Sequence, residues 1–399
     1  MSTTAEQMRA WTGPGIFTYG FRPFFFAAGL WAALAMAVWI VMLSGRDVLP
    51  TAFDPVSWHA HEFLFGYLGA VVAGFMLTAV PNWTGRLPIV GWPLAGLFAL
   101  WLLGRLAVSM SDFHPALAVA AADLSFAVLL ALAMTREIVA GRNWRNLMIV
   151  GLLVAFILAN GLFHWEAARG DYASGGAGLR LGLATGLMMI AVVGGRIVPS
   201  FTRNWLVKRD DTVLPTPPMQ VFDKLSLLLL LGALLAWVGW PFDVLTGVLL
   251  VLASIAHFVR LARWAGHRTG AEPLVCVLHL AYLFLPVGAL VQGLAIHWPD
   301  MIGAGPAQHL WMAGCIGLMT LAVMTRATLG HTGGTLTAGA GTTALYLLLV
   351  AAVLARVLAD VWPLWAGGLH TVSAACWIAA FVGFALIYGG RLLRVKAEA

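Results

Sequence analysis

The sequence predicts an all-α, polytopic membrane protein with about twelve transmembrane helices, organised as a single transmembrane domain over residues 1–399. Three observations favour this class. The 399 residues are 61% hydrophobic, with a mean hydropathy of +0.89. Only 10% are charged, whereas a soluble domain carries about 25%. Apolar stretches of about 20 residues, long enough to cross a bilayer as a helix, recur along the whole chain.

The charge balance and the cysteines fit the same class. The formal net charge is +6 and the pI is about 9.6. The basic residues lie in short segments between apolar stretches, where membrane topology explains them. We therefore expect the lipid bilayer as a partner and no nucleic acid. All three cysteines lie inside apolar segments without a CxxC pair, so neither a disulfide nor a zinc site is expected.

Hydropathy and turn signals divide the chain into spans that alternate with short polar segments. Pro115 and Pro241 mark the two shortest separations between neighbouring spans. The longest polar stretch, 201–222, is too short for a separate domain. The predicted spans lie near residues 24–44, 59–80, 91–110, 115–134, 146–165, 180–200, 223–241, 243–262, 273–296, 307–328, 341–359 and 365–389.

The distribution of Lys and Arg predicts the orientation. With the N-terminus in the cytoplasm, 18 of the 23 basic residues fall in cytoplasmic segments. Cytoplasmic loops of membrane proteins carry this excess of positive charge. We therefore expect both termini in the cytoplasm, which requires an even number of spans and agrees with twelve.

An internal repeat relates the second and tenth predicted spans. Residues 61–85 align with residues 309–333 without a gap, and seven of the 25 positions are identical, including His61 with His309 and Gly66 with Gly314. The sixth span aligns more weakly with these two spans, in a register that places Gly186 on Gly317. Equivalence of these three spans implies three four-helix units, near residues 20–135, 145–262 and 272–390.

The most informative polar segment is WHAHE at residues 58–62, at the predicted outer end of the second span. Asp54 and Pro55 predict an N-cap and a first helical turn, so both histidines should be helical. At about 100° per residue, His59 and Glu62 share one helix face, while His61 points about 200° away from His59. We expect either two separate sites or one ligand with a residue that orients it. Polar contacts between helices are the alternative interpretation.

Two further histidines lie inside apolar spans. His279 is in the ninth span, and His309 opens the tenth, with Ala313, Gly317 and Thr320 on the same face. Polar residues inside a membrane are costly and are candidates for function. Imidazole is a common ligand of haem iron and copper, although Met, Cys and carboxylate ligands remain open.

The remaining candidates lie on the predicted cytoplasmic side. Arg196, Arg326 and His331 follow the sixth and tenth spans. The arginines are suited to haem propionates because guanidinium pairs well with carboxylate, while positive-inside anchoring also explains them. His257 is interpreted as part of a solvated cytoplasmic rim, and His164 as a polar residue near the outer face.

Several segments together resemble the NnrS family, bacterial membrane proteins associated with the response to nitric oxide. They are spread over residues 21–333 and so cover most of the chain. The family pattern continues after GHTG with arginine, where this chain has Gly334, so no arginine role is transferred there. The matching segments are FRPF at 21–24, WHAHE at 58–62, GFMLTA at 74–79, PNWTG at 81–85, GGR at 194–196, LH at 278–279 with Tyr282, MTLAVMTR at 319–326 and GHTG at 330–333.

The resemblance implies a membrane protein that contains haem, expected to be of b type, and copper, and that is linked to nitric oxide and nitrosative stress. It assigns no ligands. Twelve helices in three units, with histidines on the second and tenth spans, also resemble the haem-copper oxidases, as an analogy of fold alone. The expected location is the bacterial inner membrane.

Two functions follow as hypotheses. In the first, the protein binds nitric oxide and protects against nitrosative stress, with turnover and the electron donor left open. Haem would then be held by His61 and His309, or by His279 and His309, and copper by His59 with Glu62. In the second, the protein is a metal-free, proton-coupled secondary transporter in which Glu62 and the histidines carry protons.

Overall fold

The computed structural model describes residues 11–86 and 88–394. Within these residues twelve helices are long and apolar enough to span a membrane, and no strand occurs. The predicted fold class and number of spans are therefore confirmed. In chain order, helices α1 to α12 are Phe21–Leu43, Pro55–Thr84, Trp92–Ser109, Ala116–Ala140, Trp144–Ala168, Ala177–Val207, Val221–Gly239, Val244–Ala262, Pro273–His297, Ala304–His331, Ala340–Val361 and Pro363–Leu393.

Local chemistry accounts for several helix ends. The Asp54 carboxylate accepts hydrogen bonds from the amides of Val56 and Ser57 at 3.0 and 2.9 Å, and Pro55 occupies the first turn of α2. This is the predicted N-cap. At the other end, Gly85 adopts a left-handed conformation with φ of 68°. Glycine adopts this conformation without the steric penalty of a side chain, and it commonly ends helices.

Both predicted separations at proline are present. Between α3 and α4 a short 3₁₀ turn over Ser111–Phe113 is followed by Pro115. Between α7 and α8 the chain turns at Pro241, and the carboxylate of Asp243 accepts a hydrogen bond from the amide of Leu245 at 2.8 Å. A proline cannot continue a preceding helix, because it lacks the amide hydrogen and clashes with the turn before it.

Contacts between residues divide the chain into two compact units. The first comprises the described residues within 1–182, 327–334 and 381–399, and the second comprises Leu183–Arg326 and Thr335–Ala380. The division into three four-helix units stays a prediction.

Burial differs strongly among the helices. In α2, 83% of the most apolar 18-residue window is buried, whereas the corresponding value for α1, α3, α4 and α5 is 33–39%. Polar side chains on α2 therefore face protein instead of lipid. In α6 and α10 the values are 78% and 72%, so the three helices that the repeat relates are all enclosed.

Each of these three helices contains a π-helical segment, in which one extra residue is accommodated in a turn. The segments are Glu62–Tyr67, Ile190–Gly194 and Leu310–Gly317. Such turns disturb the regular backbone hydrogen bonds and occur often at functional sites. Side chains bond to carbonyls here: Trp101 Nε1 donates to the Gly66 carbonyl at 3.0 Å, and Arg260 Nη1 donates to the Ala191 carbonyl at 2.9 Å.

The π segments support one of the two predicted repeat relations. The first begins directly after His61 and the third directly after His309, which are the residues paired in the gapless alignment. In α6 the segment falls about three turns farther along under the alignment of Gly186 with Gly317. The second and tenth spans thus share a local backbone irregularity in register, and the sixth span does not.

Candidate metal centre

Six buried polar side chains from four helices of the first unit meet at one place, and we call this set the His61 cluster. None of the six residues is more than 6% exposed. Two of them, Asn160 and His164, lie four residues apart and so share one face of α5. The members are His61 and Glu62 on α2, Arg105 on α3, Asp123 on α4, and Asn160 and His164 on α5.

Asp123 is the centre of the cluster. Its Oδ1 atom accepts a hydrogen bond from Arg105 Nη2. Its Oδ2 atom accepts from Asn160 Nδ2 at 2.8 Å and lies 3.0 Å from His164 Nε2 and 3.2 Å from His61 Nε2. The two oxygens therefore differ in their surroundings, one facing a guanidinium and the other facing imidazole and amide nitrogens.

Glu62 completes the cluster on the other side of Arg105. Its Oε2 accepts from Arg105 Nη1 at 2.7 Å, and its Oε1 lies 3.1 Å from His61 Nδ1. The planar guanidinium thus bridges two carboxylates with its two terminal nitrogens, a geometry that Arg provides and Lys does not. Gly66 permits this approach, because a Cβ atom at that position would overlap Arg105 Nη1.

The cluster balances its charges internally. Arg105 carries one positive charge, and Glu62 and Asp123 carry two negative charges when ionised. Both ring nitrogens of His61 face oxygen acceptors, Nδ1 toward Glu62 and Nε2 toward Asp123 and the Asn160 Oδ1 at 3.0 Å. A doubly protonated His61 would donate to both sides and bring the net charge to zero. Buried charges are tolerated when they are paired in this way.

Three of these residues also form a group with metal-ligand geometry. Among the described residues, His61, Asp123 and His164 each offer one ligand atom, and the three atoms lie within 4.8 Å of one another. Metal–ligand bonds of about 2.0–2.2 Å place neighbouring ligand atoms about 3 Å apart when the angle at the metal is near 90°. The observed spacings of 3.0 and 3.2 Å around Asp123 Oδ2 match this separation.

The structure adds a contact within residues 58–62 that helix geometry did not predict. Helix geometry predicted that Glu62 shares a face with His59 and lies apart from His61. Glu62 bonds to His61, and the His59 ring stacks on Trp39 at 4.5 Å and lies 4.7 Å from Phe63. Adjacent side chains point about 100° apart in a helix, yet long side chains can still meet at their ends. The assignment of copper to His59 with Glu62 stays a prediction.

Sequence reasoning found only His61 and Glu62 of the six. His164 was interpreted as interfacial, but it is buried and bonded to Asp123. Arg105 entered only as one of the few basic residues away from the cytoplasmic side, and Asp123 was not singled out. The available signal was a charged residue inside each of two adjacent apolar spans, which in a membrane indicates a buried partner of opposite charge.

His279 lies in the second unit, within a different environment. Thr202 Oγ1 donates to the Val198 carbonyl at 2.9 Å, so it accepts from His279 Nε2 at 2.7 Å. This leaves the lone pair on Nδ1, which is buried and has no hydrogen-bond partner among the described residues. The Nδ1 atom faces Gly266, where a Cβ atom would lie 2.6 Å away. A metal at Nδ1 would therefore have to displace that loop.

His309 is half-buried and also belongs to the second unit. Its Nδ1 lies 2.8 Å from the carbonyl of Gly305 one turn earlier. A proton on Nδ1 satisfies that carbonyl and leaves the Nε2 lone pair for another ligand. Beside Gly305 lies the ion pair of Arg356 and Asp360, with 2.7 Å between Nη1 and Oδ2.

The residues expected near haem propionates have other contacts. Arg326 lies over the Phe201 ring at 4.0 Å, and Arg196 is half-buried in α6. His331, in the first unit, lies 5.7 Å from Tyr19 and 5.4 Å from Phe21 between ring centres.

A second buried polar group in the second unit corrects the interpretation of His257. His257 and Arg260 are both 0% exposed, so they do not form a solvated rim. Arg260 Nε donates to Asp223 at 2.8 Å and its Nη1 to Tyr282 Oη at 2.7 Å, while His257 Nδ1 lies 2.8 Å from the same hydroxyl. His257 and Arg260, near the C-terminal end of α8, are therefore polar residues that pair inside the protein with Asp223 and Tyr282.

Comparison with known proteins agrees with the fold and with these motifs. A family model described as NnrS protein matches residues 15–396 of the 399-residue chain. No curated protein sequence matches the chain. The matched range includes every residue of the His61 cluster.

Proposed function

Because the chain belongs to the NnrS family, we propose that it is a haem- and copper-containing protein of the bacterial inner membrane that binds nitric oxide in the response to nitrosative stress. Family membership supports the link to nitric oxide. The twelve apolar helices support a multi-pass membrane protein. The single observation that carries the metal is the buried group of His61, Asp123 and His164.

Copper is the metal we assign to this group. Two imidazoles and one carboxylate can bind copper and other first-row metals, iron(II) among them, and the choice of copper rests on what the family resemblance implies. The spacings of 3.0 and 3.2 Å around Asp123 Oδ2 support this assignment. When bound, copper would supply a one-electron redox centre.

The chain's own residues have separate tasks in this proposal. Arg105 holds Asp123 Oδ1 and Glu62, so that Asp123 Oδ2 points toward the two histidines. In the metal-bound form, His61 would carry a single proton on Nδ1, donated to Glu62, and would present the lone pair of Nε2 to the metal. Partners of this kind, behind the ligands themselves, typically change metal affinity about 10–100-fold when they are removed.

For haem, His309 is the ligand whose local geometry fits best. The Gly305 carbonyl accepts from Nδ1 and thereby presents the Nε2 lone pair. His279 remains a candidate, although its lone pair faces Gly266. A haem iron needs an imidazole nitrogen with a fixed ring orientation, and His309 meets this condition.

Metal content tests the proposal directly. Protein purified from cells supplied with copper and iron should contain both metals. Asp123→Asn and His164→Ala should lose most copper while still inserting into the membrane, and His114→Ala, which changes an exposed histidine near the same end of the bundle, should lose none. Copper in wild-type amounts in both cluster variants would overturn the assignment. A wild-type protein without metal would favour the proton-coupled transporter.

A further inference from the structure

A narrow cavity adjoins the His61 cluster inside the first unit. Arg105, Asp123 and Asn160 form its polar end, and nine other residues, mainly apolar and aromatic, form the rest of the wall. Its volume, counted for the centre of a water-sized molecule, is about 20 Å³. About 10–15 Å³ of such space holds one water, so the cavity suits a ligand of two or three atoms.

Arg105, which lines the cavity, has an unused hydrogen-bond donor. Arg105 is 3% exposed on its side chain, and its two terminal nitrogens bond to Glu62 and Asp123. Its Nε–H, however, has no partner among the described residues. Leaving a buried donor of a charged group without a partner is costly. A small acceptor in the cavity would remove this cost.

One residue of the cavity wall also lies at the surface of the first unit. Of the wall residues, Ala127 on α4 is half-buried, and the others are buried. The exposed side of a membrane-spanning helix faces lipid. Ala127 is therefore the wall residue with the most exposure to lipid, and its side chain is a single methyl group.

We infer that this cavity is the entry and docking site for an uncharged diatomic gas on its way to the His61 cluster, with Ala127 at the lipid side and Arg105 at the inner end. The choice of nitric oxide as the gas rests on the proposed function. The apolar wall excludes ions, since the charges of the cluster are already paired with one another. A neutral gas dissolves in lipid and can accept a hydrogen bond from Arg105 Nε.

Two substitutions would obstruct this cavity, and the first adds only one methyl group. A Cβ atom at Gly69 would meet Phe126 and Phe156 at 3.9 Å, an ordinary van der Waals contact, so Gly69→Ala should fold normally. Ala127→Phe would cover the lipid side. Each has a matched control outside the cavity. Gly161→Ala makes a similar contact of 3.8 Å with Leu124, and Ala120→Phe changes another half-buried alanine two turns away on the same face of α4.

The test uses dissolved nitric oxide, which is paramagnetic and accelerates the relaxation of nearby nuclei. Fluorinated phenylalanine is placed at Phe156, in the cavity wall, or at the fully buried Phe384, which is not part of that wall. In reduced full-length protein, nitric oxide should relax the fluorine at Phe156 several-fold more than that at Phe384. Gly69→Ala and Ala127→Phe should reduce the effect at Phe156 several-fold, and the two controls should leave it unchanged.

The inference fails if Phe156 relaxes no faster than Phe384, or if the cavity-filling variants relax like wild type. Copper and iron are counted in the same samples, which separates this failure from that of the proposed function. Relaxation at Phe156 in a protein without metal would retain the gas site and reject the metal centre. Full metal content without the relaxation effect would reject the gas site alone.

Discussion

The Nε2 atom of His164 lies 3.0 Å from Oδ2 of Asp123, and this contact joins α5 to α4 at a point where Arg105 holds the other carboxylate oxygen. The second oxygen, Oδ2, therefore contacts only nitrogen atoms from α2 and α5 among the bonds described. Because His61 Nε2 approaches the same atom from α2, one carboxylate brings three helices together. The same geometry fits a hydrogen-bonded charge network and also the proposed metal site, and the metal content of the purified protein distinguishes the two.

Removing Arg105 should destabilise the protein strongly. Arg105→Leu leaves Glu62 and Asp123 buried without their cation, and breaking a buried pair by removing one partner costs about 3–5 kcal/mol. Arg105→Lys should recover only part of this loss, because one ammonium cannot replace the fork that bridges both carboxylates. Thermal unfolding of purified protein in one detergent measures the difference.

The control for Arg105 is Arg46→Leu, which changes an exposed arginine in the segment between α1 and α2. Its melting temperature should stay close to that of wild type. Equal melting temperatures for Arg105→Leu and Arg46→Leu would mean that the buried carboxylates are neutral and need no cation.

The second prediction separates His59 from His164 as a copper ligand. His164 Nε2 lies beside Asp123, whereas the His59 ring stacks on Trp39. We therefore expect His164→Ala to lose copper and His59→Ala to retain it. Glu62→Gln should retain copper with about 10–100-fold weaker affinity, as expected for a residue that orients a ligand. Competition with a copper chelator of known affinity measures the copper affinity of all three variants.

The opposite result would support the assignment of copper to His59 with Glu62 that the sequence predicts. If His59→Ala loses copper and His164→Ala keeps it, copper lies at His59, and the His61 cluster is a charge network without metal. Equal losses in both variants would place the two histidines at one centre.

The sequence contains enough to predict the helices but only part of the site. Twelve spans follow from apolar length alone, and Asp54 with Pro55 predicts the start of α2. The role of Arg105 could not be read in the same way, because the positive-inside count treats every arginine as a topology signal. The bond between His61 and Glu62 joins adjacent residues, which a helix places about 100° apart, so an argument from shared helix faces does not predict it. His164 joins the cluster through tertiary packing, which periodicity does not encode.

The third prediction concerns haem. His309→Ala should remove or reshape the Soret band, because Nε2 of His309 is available while Gly305 holds Nδ1. His279→Ala should leave the band largely intact, since the lone pair of that ring faces Gly266. Absorption spectra of both purified variants, before and after reduction and addition of nitric oxide, measure this difference. Loss of the band in His279→Ala alone would show that the 266–268 loop moves to admit the iron.

The last prediction is the orientation in the membrane. With the N-terminus in the cytoplasm, 18 of the 23 basic residues lie in cytoplasmic segments, which is the distribution that fixes topology. Contacts between connecting segments agree with alternating spans. Arg268, between α8 and α9, donates to Asp211, between α6 and α7, at 2.8 Å, so these two connections lie on one side.

Reporter fusions after Ala399 and near Arg268 should therefore report the cytoplasm, and a fusion near Pro299 should report the opposite side. Each fusion site lies in a connecting segment or at the end of the chain, so the reporter does not interrupt a helix. The pair at Arg268 and Pro299 flanks α9 and is an internal control, because the two must differ if α9 crosses the membrane. A C-terminus outside the cytoplasm, with the N-terminus inside, would require an odd number of crossings. One of the twelve helices would then lie within the protein or along the membrane surface without crossing it.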